Sequence, residues 1–284
     1  MLKFFMFLVT VAMFVASLSL SASVYAQNSN EEVQEWTATI ELNPNSYMAY
    51  NNRGLAYNRL GQYEQAIQDY NRAIELKPNY AEAYNNRGLA YQGLKQYERA
   101  IADFNTAIEL NPNLAEVYNN RGVTYMDGLK QYERAIQDYD KAIQLDSNYA
   151  FAHNNRALAY EQLKQYERAI QDYDKAIEIN SNYFEAYKNR GLAYMKLGDF
   201  DQCIADNTKA LQINPNYAEA YVAIALTYFI NGNFDQVIYN TDKAISLNPN
   251  LPVSYYLRGN CYKALGQNSK AQADFAKAKQ LGWN

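Results

Sequence analysis

Pairs of adjacent asparagines are the residues of this sequence with the clearest capacity for chemistry. They recur 34 or 35 residues apart as Asn51-Asn52, Asn85-Asn86, Asn119-Asn120 and Asn154-Asn155, followed by Lys188-Asn189. A side-chain amide both donates and accepts hydrogen bonds, so a ladder of stacked amides can bind the backbone of an extended peptide without reading its sequence. Two alternatives stay open: the asparagines bridge neighbouring repeats, or recent duplication has carried them passively.

Arginine and aspartate recur at the same spacing, on two different parts of each repeat. The arginines are at positions 53, 87, 121, 156, 190 and 258, and the aspartates are at positions 69, 103, 138, 172, 206 and 274. The sixth repeat lacks both charges, since it has Ile224 and Asn240 instead. A partly buried charge without a partner is costly, so we expect each arginine to pair with the aspartate of its own repeat. The alternative is two sets of independent surface charges.

The sequence contains no set of residues that predicts catalysis or metal binding. His153 is the only histidine and takes the place of a tyrosine, and no glycine-rich phosphate loop is present. Cys203 and Cys261 replace alanines of other repeats and have a whole repeat between them, which puts them too far apart for a disulfide. We therefore expect two buried free thiols, no cofactor, no metal and no enzymatic activity.

All these residues are placed by one internal repeat. The phrase Tyr-Asn-Asn-Arg-Gly-Leu-Ala-Tyr occupies Tyr50–Tyr57 and Tyr84–Tyr91, and modified copies follow at the same period. A fixed period of this length predicts a solenoid of stacked repeats. Residues 27–46 are predicted to form a linker and a capping half-repeat, with a lone helix over about 31–44. The predicted repeats are 47–80, 81–114, 115–149, 150–183, 184–217, 218–251 and 252–284.

Each repeat reads as two amphipathic helices. In the second repeat, apolar residues at three- and four-residue steps predict helices over about Ala81–Leu94 and Tyr97–Glu109, and Pro112 ends the second. Gly88 lies in the middle of the first helix, where only small residues recur, so a neighbouring helix must approach closely. We expect an alanine column that includes Ala100 to face it, and we expect the extra residue of the third repeat to lie in the turn between its helices.

The pattern resembles the tetratricopeptide repeat (TPR) family over residues 47–284 and the half-repeat before them. The residues that carry this resemblance in the second repeat are Gly88, Tyr91, Ala100, Phe104, Ala107 and Pro112. The resemblance implies an all-α, right-handed superhelical solenoid of antiparallel helix pairs whose first helices line a concave groove. It also implies peptide contacts for Asn52, Asn86, Asn120, Asn155 and Asn189. Basic residues that would clamp a terminal carboxylate are largely missing, with Lys188 alone in the first asparagine column.

The sixth repeat changes the character of the predicted groove. Val222 and Ala223 replace the two asparagines there, Leu226 and Phe229 extend the apolar set, and Met195 is expected nearby. An exposed apolar patch of this kind often marks an interface, which makes Phe229 a candidate contact for a partner side chain. The alternative is ordinary core packing.

Residues 1–26 have the organisation of a secretory signal peptide. Lys3 is followed by an apolar run from Phe4 to Ala16, and Ala26 ends a segment of small residues suited to cleavage. The run is short for a membrane span, so we expect cleavage after Ala26 and no span afterwards. An uncleaved anchor is the alternative.

The sequence therefore predicts an exported, non-enzymatic scaffold, periplasmic or extracellular, that binds peptide segments or partner proteins in its groove. A net charge of −4 gives no basic surface for nucleic acid. The alternative function is a self-assembling structural array, and thus a homo-oligomer, or an assembly factor for an envelope complex. The identity of the partner is not encoded in any motif.

Overall fold

The computed structural model describes residues 28–283; the predicted signal peptide lies outside this range. The described chain is helical throughout, with short connecting turns and no strand, as predicted. It divides into two halves, which are described separately: an N-terminal half up to Leu145 and a C-terminal half from Asp146. Within each half, consecutive helices are joined by short turns and pack against each other as antiparallel pairs.

The N-terminal half contains a lone helix and three helix pairs. The lone helix α1 covers residues 28–42 and packs on the first pair. Arg59 donates a hydrogen bond to Glu32 at 2.6 Å, and Arg53 donates one to Thr37 at 3.1 Å. The expected capping helix is thus present, beginning earlier than predicted. The other helices are α2 (Tyr47–Arg59), α3 (Tyr63–Leu76), α4 (Ala81–Gly93), α5 (Tyr97–Leu110), α6 (Ala115–Val123) and α7 (Tyr132–Leu145).

The C-terminal half contains four helix pairs. The pairs are α8 (Ala150–Gln162) with α9 (Tyr166–Ile179), α10 (Phe184–Lys196) with α11 (Phe200–Ile213), α12 (Ala218–Ile230) with α13 (Phe234–Leu247), and α14 (Pro252–Ala264) with α15 (Asn268–Gln280). As in the N-terminal half, the second helix of a pair also packs against the first helix of the next repeat. The predicted helix bounds of the second repeat hold to within one residue.

The turn between the two helices of a repeat needs a residue in the left-handed region. Glycine supplies it in four repeats, as Gly61 with φ 72° and its equivalents Gly198, Gly232 and Gly266. Lysine occupies the position in the other three, as Lys95, Lys130 and Lys164, with φ between 55° and 59°. A side chain with a Cβ is strained in this region, so three turns carry a local cost that four avoid.

The mid-helix glycines of four repeats make room for an aromatic ring. A Cβ placed on Gly88 would lie 2.7 Å from the Phe104 ring, and one on Gly54 would lie 2.6 Å from the Tyr70 ring. The predicted close approach is confirmed, but the expected partner was wrong: the ring of the same repeat's second helix, rather than the alanine column, fills the space nearest the glycine.

The extra residue of the third repeat is absorbed inside a helix. Helix α6 continues into a π-helical turn over Thr124–Gly128, which buries Met126 with its sulfur 3.9 Å from the Tyr139 hydroxyl. The extra residue was predicted at Met126–Gly128 in the connecting turn; the irregularity lies at those positions, but as part of a helix rather than of the turn. A π-turn widens the helix by one residue without breaking its backbone hydrogen bonding, which keeps the flanking packing in register.

Both cysteines are buried free thiols, as predicted. Burial raises the pKa of the Cys261 thiol to about 11, which keeps it protonated and unreactive at neutral pH. Between residues 28 and 283, no helix combines the length and the apolar character that a membrane span requires.

Candidate functional site

Buried ion pairs fix the first helix of each repeat on the second. Arg87 donates from Nε and Nη2 to the two carboxylate oxygens of Asp103 at 2.8 and 2.7 Å. The same two-bond geometry joins the arginine and aspartate of the five other charged repeats. The within-repeat pairing is confirmed. In the sixth repeat, Asn240 instead donates to the carbonyl of Gln236 at 2.8 Å, so the missing arginine leaves its amide satisfied.

A second contact of these arginines was missed by the sequence reasoning. Arg87 Nη1 also donates to Asn71 of the preceding repeat at 2.6 Å, and Arg121 does the same to Asn105 at 2.6 Å. Asp174 and Asp242 take that place for Arg190 and Arg258. A polar residue recurs two positions after the aspartate column, or after Asn240 in the sixth repeat, throughout the first six repeats, and this recurrence was the available signal. Each such arginine therefore joins two repeats as well as two helices.

The asparagines of the N-terminal half form one continuous chain of hydrogen bonds. Asn120 donates to Asn85 at 3.1 Å, and Asn85 donates to Asn86 at 3.5 Å. Asn86 then donates to Asn51 at 3.0 Å, and Asn51 donates to Asn52 at 3.3 Å. All four bonds point the same way along the stack. We call this set, with its counterpart in the C-terminal half, the amide chain.

The C-terminal half has a shorter amide chain that begins with a cation. Lys188 Nζ donates to Asn189 Oδ1 at 2.6 Å, Asn189 donates to Asn154 at 3.2 Å, and Asn154 donates to Asn155 at 3.3 Å. The direction is the same as in the N-terminal half. The ammonium group lies at the carbonyl end of the aligned amides, where a positive charge is favourable.

The two asparagine columns differ in exposure. The first column, with Asn51, Asn85, Asn119 and Asn154, is buried, whereas Asn52, Asn86, Asn120 and Asn155 of the second are half-buried. Asn189 is buried. The alternative in which asparagines bridge neighbouring repeats is thus observed within each half. The bridges leave capacity for a ligand, because Asn86 uses one of its two N–H groups and one of its two acceptor sites. Peptide contact by these residues stays a prediction.

A pocket lies beside the last amide of the N-terminal chain. It has a volume of about 320 Å³ and is lined by Glu32, Glu35, Trp36, Asn52, Leu55 and Arg59. Trp36 and Leu55 give it an apolar wall, and the Glu32–Arg59 ion pair closes one side at 2.6 Å. Helix α1 therefore contributes surface next to Asn52 as well as covering the first repeat.

The sixth repeat packs largely as core. Phe229 and Leu226 lie against buried Ala225, Val237 and Leu257. Ile230 is 55% exposed. The structure thus shows core packing for Phe229 and, beside it, an exposed apolar side chain at Ile230. Contact of Phe229 with a partner stays a prediction.

A second pocket, of about 340 Å³, lies in the C-terminal half beside the cationic end of the amide chain. Its apolar walls are Tyr166, Leu192, Met195 and Leu226, and Glu161 and Lys196 contribute the charged lining. Burial raises the pKa of Glu161 to about 7, against the opposing effects of Lys188 and Lys196. Burial also lowers the pKa of Lys188. The sequence gives no signal for Glu161, because its column varies from repeat to repeat.

His153 occupies a core tyrosine position, as predicted. Its Nε2 lies 3.4 Å from the carbonyl of Ser147, the place where the Tyr118 and Tyr255 hydroxyls donate to Pro112 and Pro249. Its Nδ1 lies 3.4 Å from Asp172. The histidine thus replaces a tyrosine hydrogen bond and adds a contact to an ion pair, a structural role.

Comparison with known families agrees with the geometry. A model described as "TPR repeat" matches residues 56–95, 129–164 and 162–198. Two models described as "Tetratricopeptide repeat" match residues 81–114 and 184–217, and residues 36–68, 104–137 and 241–273. The chain belongs to the tetratricopeptide repeat family. Proteins with TPR repeats are in general non-enzymatic scaffolds that bind protein or peptide partners. A search of curated proteins found no significant match.

Solved TPR structures share the fold. A chain of the APC/C hetero-tetramer Cut9–Hcn1 aligns with a TM-score of 0.71 at 18% identity, over 84% of this chain but 46% of its own length. A tetratricopeptide repeat protein from Parabacteroides merdae aligns with a TM-score of 0.68 at 22% identity, over 84% of this chain and 94% of its own. YrrB, described as a TPR protein with an unusual peptide-binding site, gives 0.51 at 22% identity, over 65% and 95%.

Proposed function

We propose that this TPR protein is an exported scaffold that holds extended peptide segments of partner proteins against its first helices. The amide chain is the observation that carries the proposal. It places half-buried amides side by side from Asn52 to Asn120, and each has hydrogen-bonding capacity left over. A peptide backbone presents an N–H and a C=O at every residue other than proline, which is the complementary pattern.

The amide chain also explains how the groove would avoid a large ordering cost. Each amide is already held by its neighbours, so no side-chain freedom is lost when a ligand binds. Preorganisation of this kind raises affinity by lowering the entropic cost of association. The peptide-binding site described for YrrB supports the choice of a peptide over a folded domain surface as ligand.

Export is part of the proposal and rests on residues 1–26. The basic start, the apolar run and the small residues before Gln27 match the organisation of a cleaved secretory signal. Mass spectrometry of the protein purified from an exporting bacterial host should give a chain that begins at Gln27. A mature protein that retains Met1 would contradict cleavage and favour the membrane-anchor alternative.

A selection experiment tests peptide binding directly. The purified protein is used to enrich peptides from a displayed library of random dodecapeptides, and the affinities of enriched sequences are measured by fluorescence anisotropy. The Asn86→Ala/Asn120→Ala variant should weaken binding at least tenfold, about 1.4 kcal/mol. The matched control is Asn113→Ala, an exposed asparagine outside the amide chain. N-methylation of the backbone amides of an enriched peptide removes the N–H groups that the asparagines would bind, so it should weaken binding to the unmodified protein as well.

The experiment has two outcomes that refute the proposal. One is the absence of any enriched peptide, and the other is equal binding by the double variant and the control. Light scattering over a roughly hundredfold range of protein concentration distinguishes the groove-binding scaffold from the alternative, a self-assembling array. A groove-binding scaffold keeps a constant mass near one chain, whereas a mass that rises with concentration would favour self-assembly.

A further inference from the structure

The pocket beside Lys188 continues the binding face of helix α10. Asn189, Leu192 and Lys196 follow one another at steps of three and four residues, as do Lys188, Leu192 and Met195. Residues at these steps lie on one face of a helix. One to two helical turns therefore separate the amide chain from the pocket, about 5 to 10 Å. A side chain one to three residues along an extended peptide covers that distance.

The walls of the pocket suit an aliphatic stem. Leu192, Met195 and Leu226 come from α10 and α12, and the Tyr166 ring comes from α9. All four side chains are half-buried, so they form a surface that a ligand can still cover. The pocket therefore has mainly apolar walls, and Glu161 is the acidic residue in its lining.

The acidic group of this pocket lies near two lysines but forms no direct ion pair with either of them. Glu161 is half-buried, and within the described chain it makes no ion pair shorter than 4 Å with Lys188, Lys196 or any other basic residue. Removing a carboxylate from water without a directly bonded partner is unfavourable. Burial accordingly raises the pKa of Glu161 to about 7 even with two lysines in the neighbourhood. The groups that face it are Tyr173 on α9 and the two lysines on α10.

We propose that this pocket binds a lysine or arginine side chain of a peptide held by the amide chain of the C-terminal half, with Glu161 as the partner of its charge. The methylene stem lies along Leu192, Met195 and Leu226, and the cationic head reaches the carboxylate. Long basic side chains bury an apolar stem and keep a polar tip in this manner. The proposal rests on the proposed function, because it assigns one side-chain position of the same peptide.

The test uses peptide mixtures that differ at a single position. Each labelled peptide has a central residue that is lysine, arginine, norleucine or glutamate, flanked by positions randomised among uncharged residues. Norleucine has the stem of lysine without the ammonium group, so it isolates the charge. At about pH 8, above the pKa of Glu161, the lysine mixture should bind roughly tenfold more tightly than the norleucine mixture. The ratio should fall towards one at about pH 6, where Glu161 is protonated.

Variants separate the pocket from the amide chain. Glu161→Gln should abolish the preference for lysine over norleucine while the norleucine mixture binds as before. Glu167→Gln, an exposed carboxylate on α9, should change neither value. Thermal unfolding of both variants shows that they are folded.

The outcomes distinguish the two proposals. Equal binding of lysine and norleucine, or tighter binding of norleucine, by the unmodified protein would overturn the role of Glu161 and leave the amide chain standing. A lysine preference that persists in Glu161→Gln would also overturn it. If none of the four mixtures binds, both the proposed function and this pocket assignment are wrong.

Discussion

Replacing the charges of one Arg–Asp pair by the residues of the sixth repeat is the sharpest test of how the repeats are held. The substitutions are Arg87→Ile, Asp103→Asn and their combination, which copy Ile224 and Asn240. The pair has two hydrogen bonds, of 2.7 and 2.8 Å, and Asp103 is 6% exposed. Arg87→Ile therefore leaves a buried carboxylate without its partner.

The expected magnitudes follow from burial. Breaking a buried pair at one partner costs about 3–5 kcal/mol, and the lower end applies because the arginine side chain is 19% exposed. Asp103→Asn should cost about 2 kcal/mol, since the amide still accepts one bond from the guanidinium. The double variant should cost about 3 kcal/mol, which is less than the sum of about 5. The coupling free energy is then about 2 kcal/mol.

Hydrogen exchange measured by mass spectrometry is the appropriate assay. A repeat array need not unfold in one step, so the opening free energy should be read locally, from amides of α4 and α5. The matched control is the same set of single and double substitutions at Arg72 and Glu75, an exposed pair whose side chains are 43% and 64% accessible. This pair should show no measurable coupling free energy. Costs for Arg87→Ile and Asp103→Asn that add within experimental error would refute the argument that these charges are retained and lost together.

Three further predictions follow from particular contacts. Lys95→Gly should stabilise the second repeat by about 1 kcal/mol because φ is 59° there, and Gly61→Lys should destabilise the first repeat by a similar amount. Thermal unfolding measures both changes in stability, and a change in the same direction for both variants would contradict the prediction. Cys203→Ala/Asn207→Phe should raise the unfolding midpoint, because Asn207 is a buried amide whose Oδ1 has no partner within the described chain. The variant introduces the alanine and the aromatic ring of the second repeat, and burial of the ring should stabilise the fold by about 1–3 kcal/mol. A lower midpoint would show that the fifth repeat cannot accommodate the ring. Burial alone would raise the pKa of Asp172, but hydrogen bonds from its arginine and histidine neighbours hold that pKa below its ordinary value. A carboxylate with a lowered pKa stabilises the fold above its unfolded pKa of about 4, and this contribution is lost as the pH falls further. The difference in midpoint between the unmodified protein and Asp172→Asn should therefore shrink between about pH 6 and about pH 3, and a constant difference would rule out the ion pair as its source.

The sequence by itself determined the repeat, the helix pairs and the main ion pairs. A period of 34 residues with apolar residues at helical steps leaves few architectures open. The joint loss of both charges at Ile224 and Asn240 identified which arginine pairs with which aspartate. The same reasoning placed both cysteines in the core, because each replaces a small packing residue.

Only the tertiary structure decided which side chains meet across neighbouring helices. The sequence indicated that Gly88 needs a close neighbour, but Phe104 and Ala100 lie on the same helix and both were consistent with that need. The direction of the amide chain and the burial of Glu161 without a direct ion pair in the described chain were equally hidden. Helical periodicity assigns a residue to a face of its own helix, whereas partners in the next helix depend on rotation and spacing between helices, which no single sequence pattern specifies.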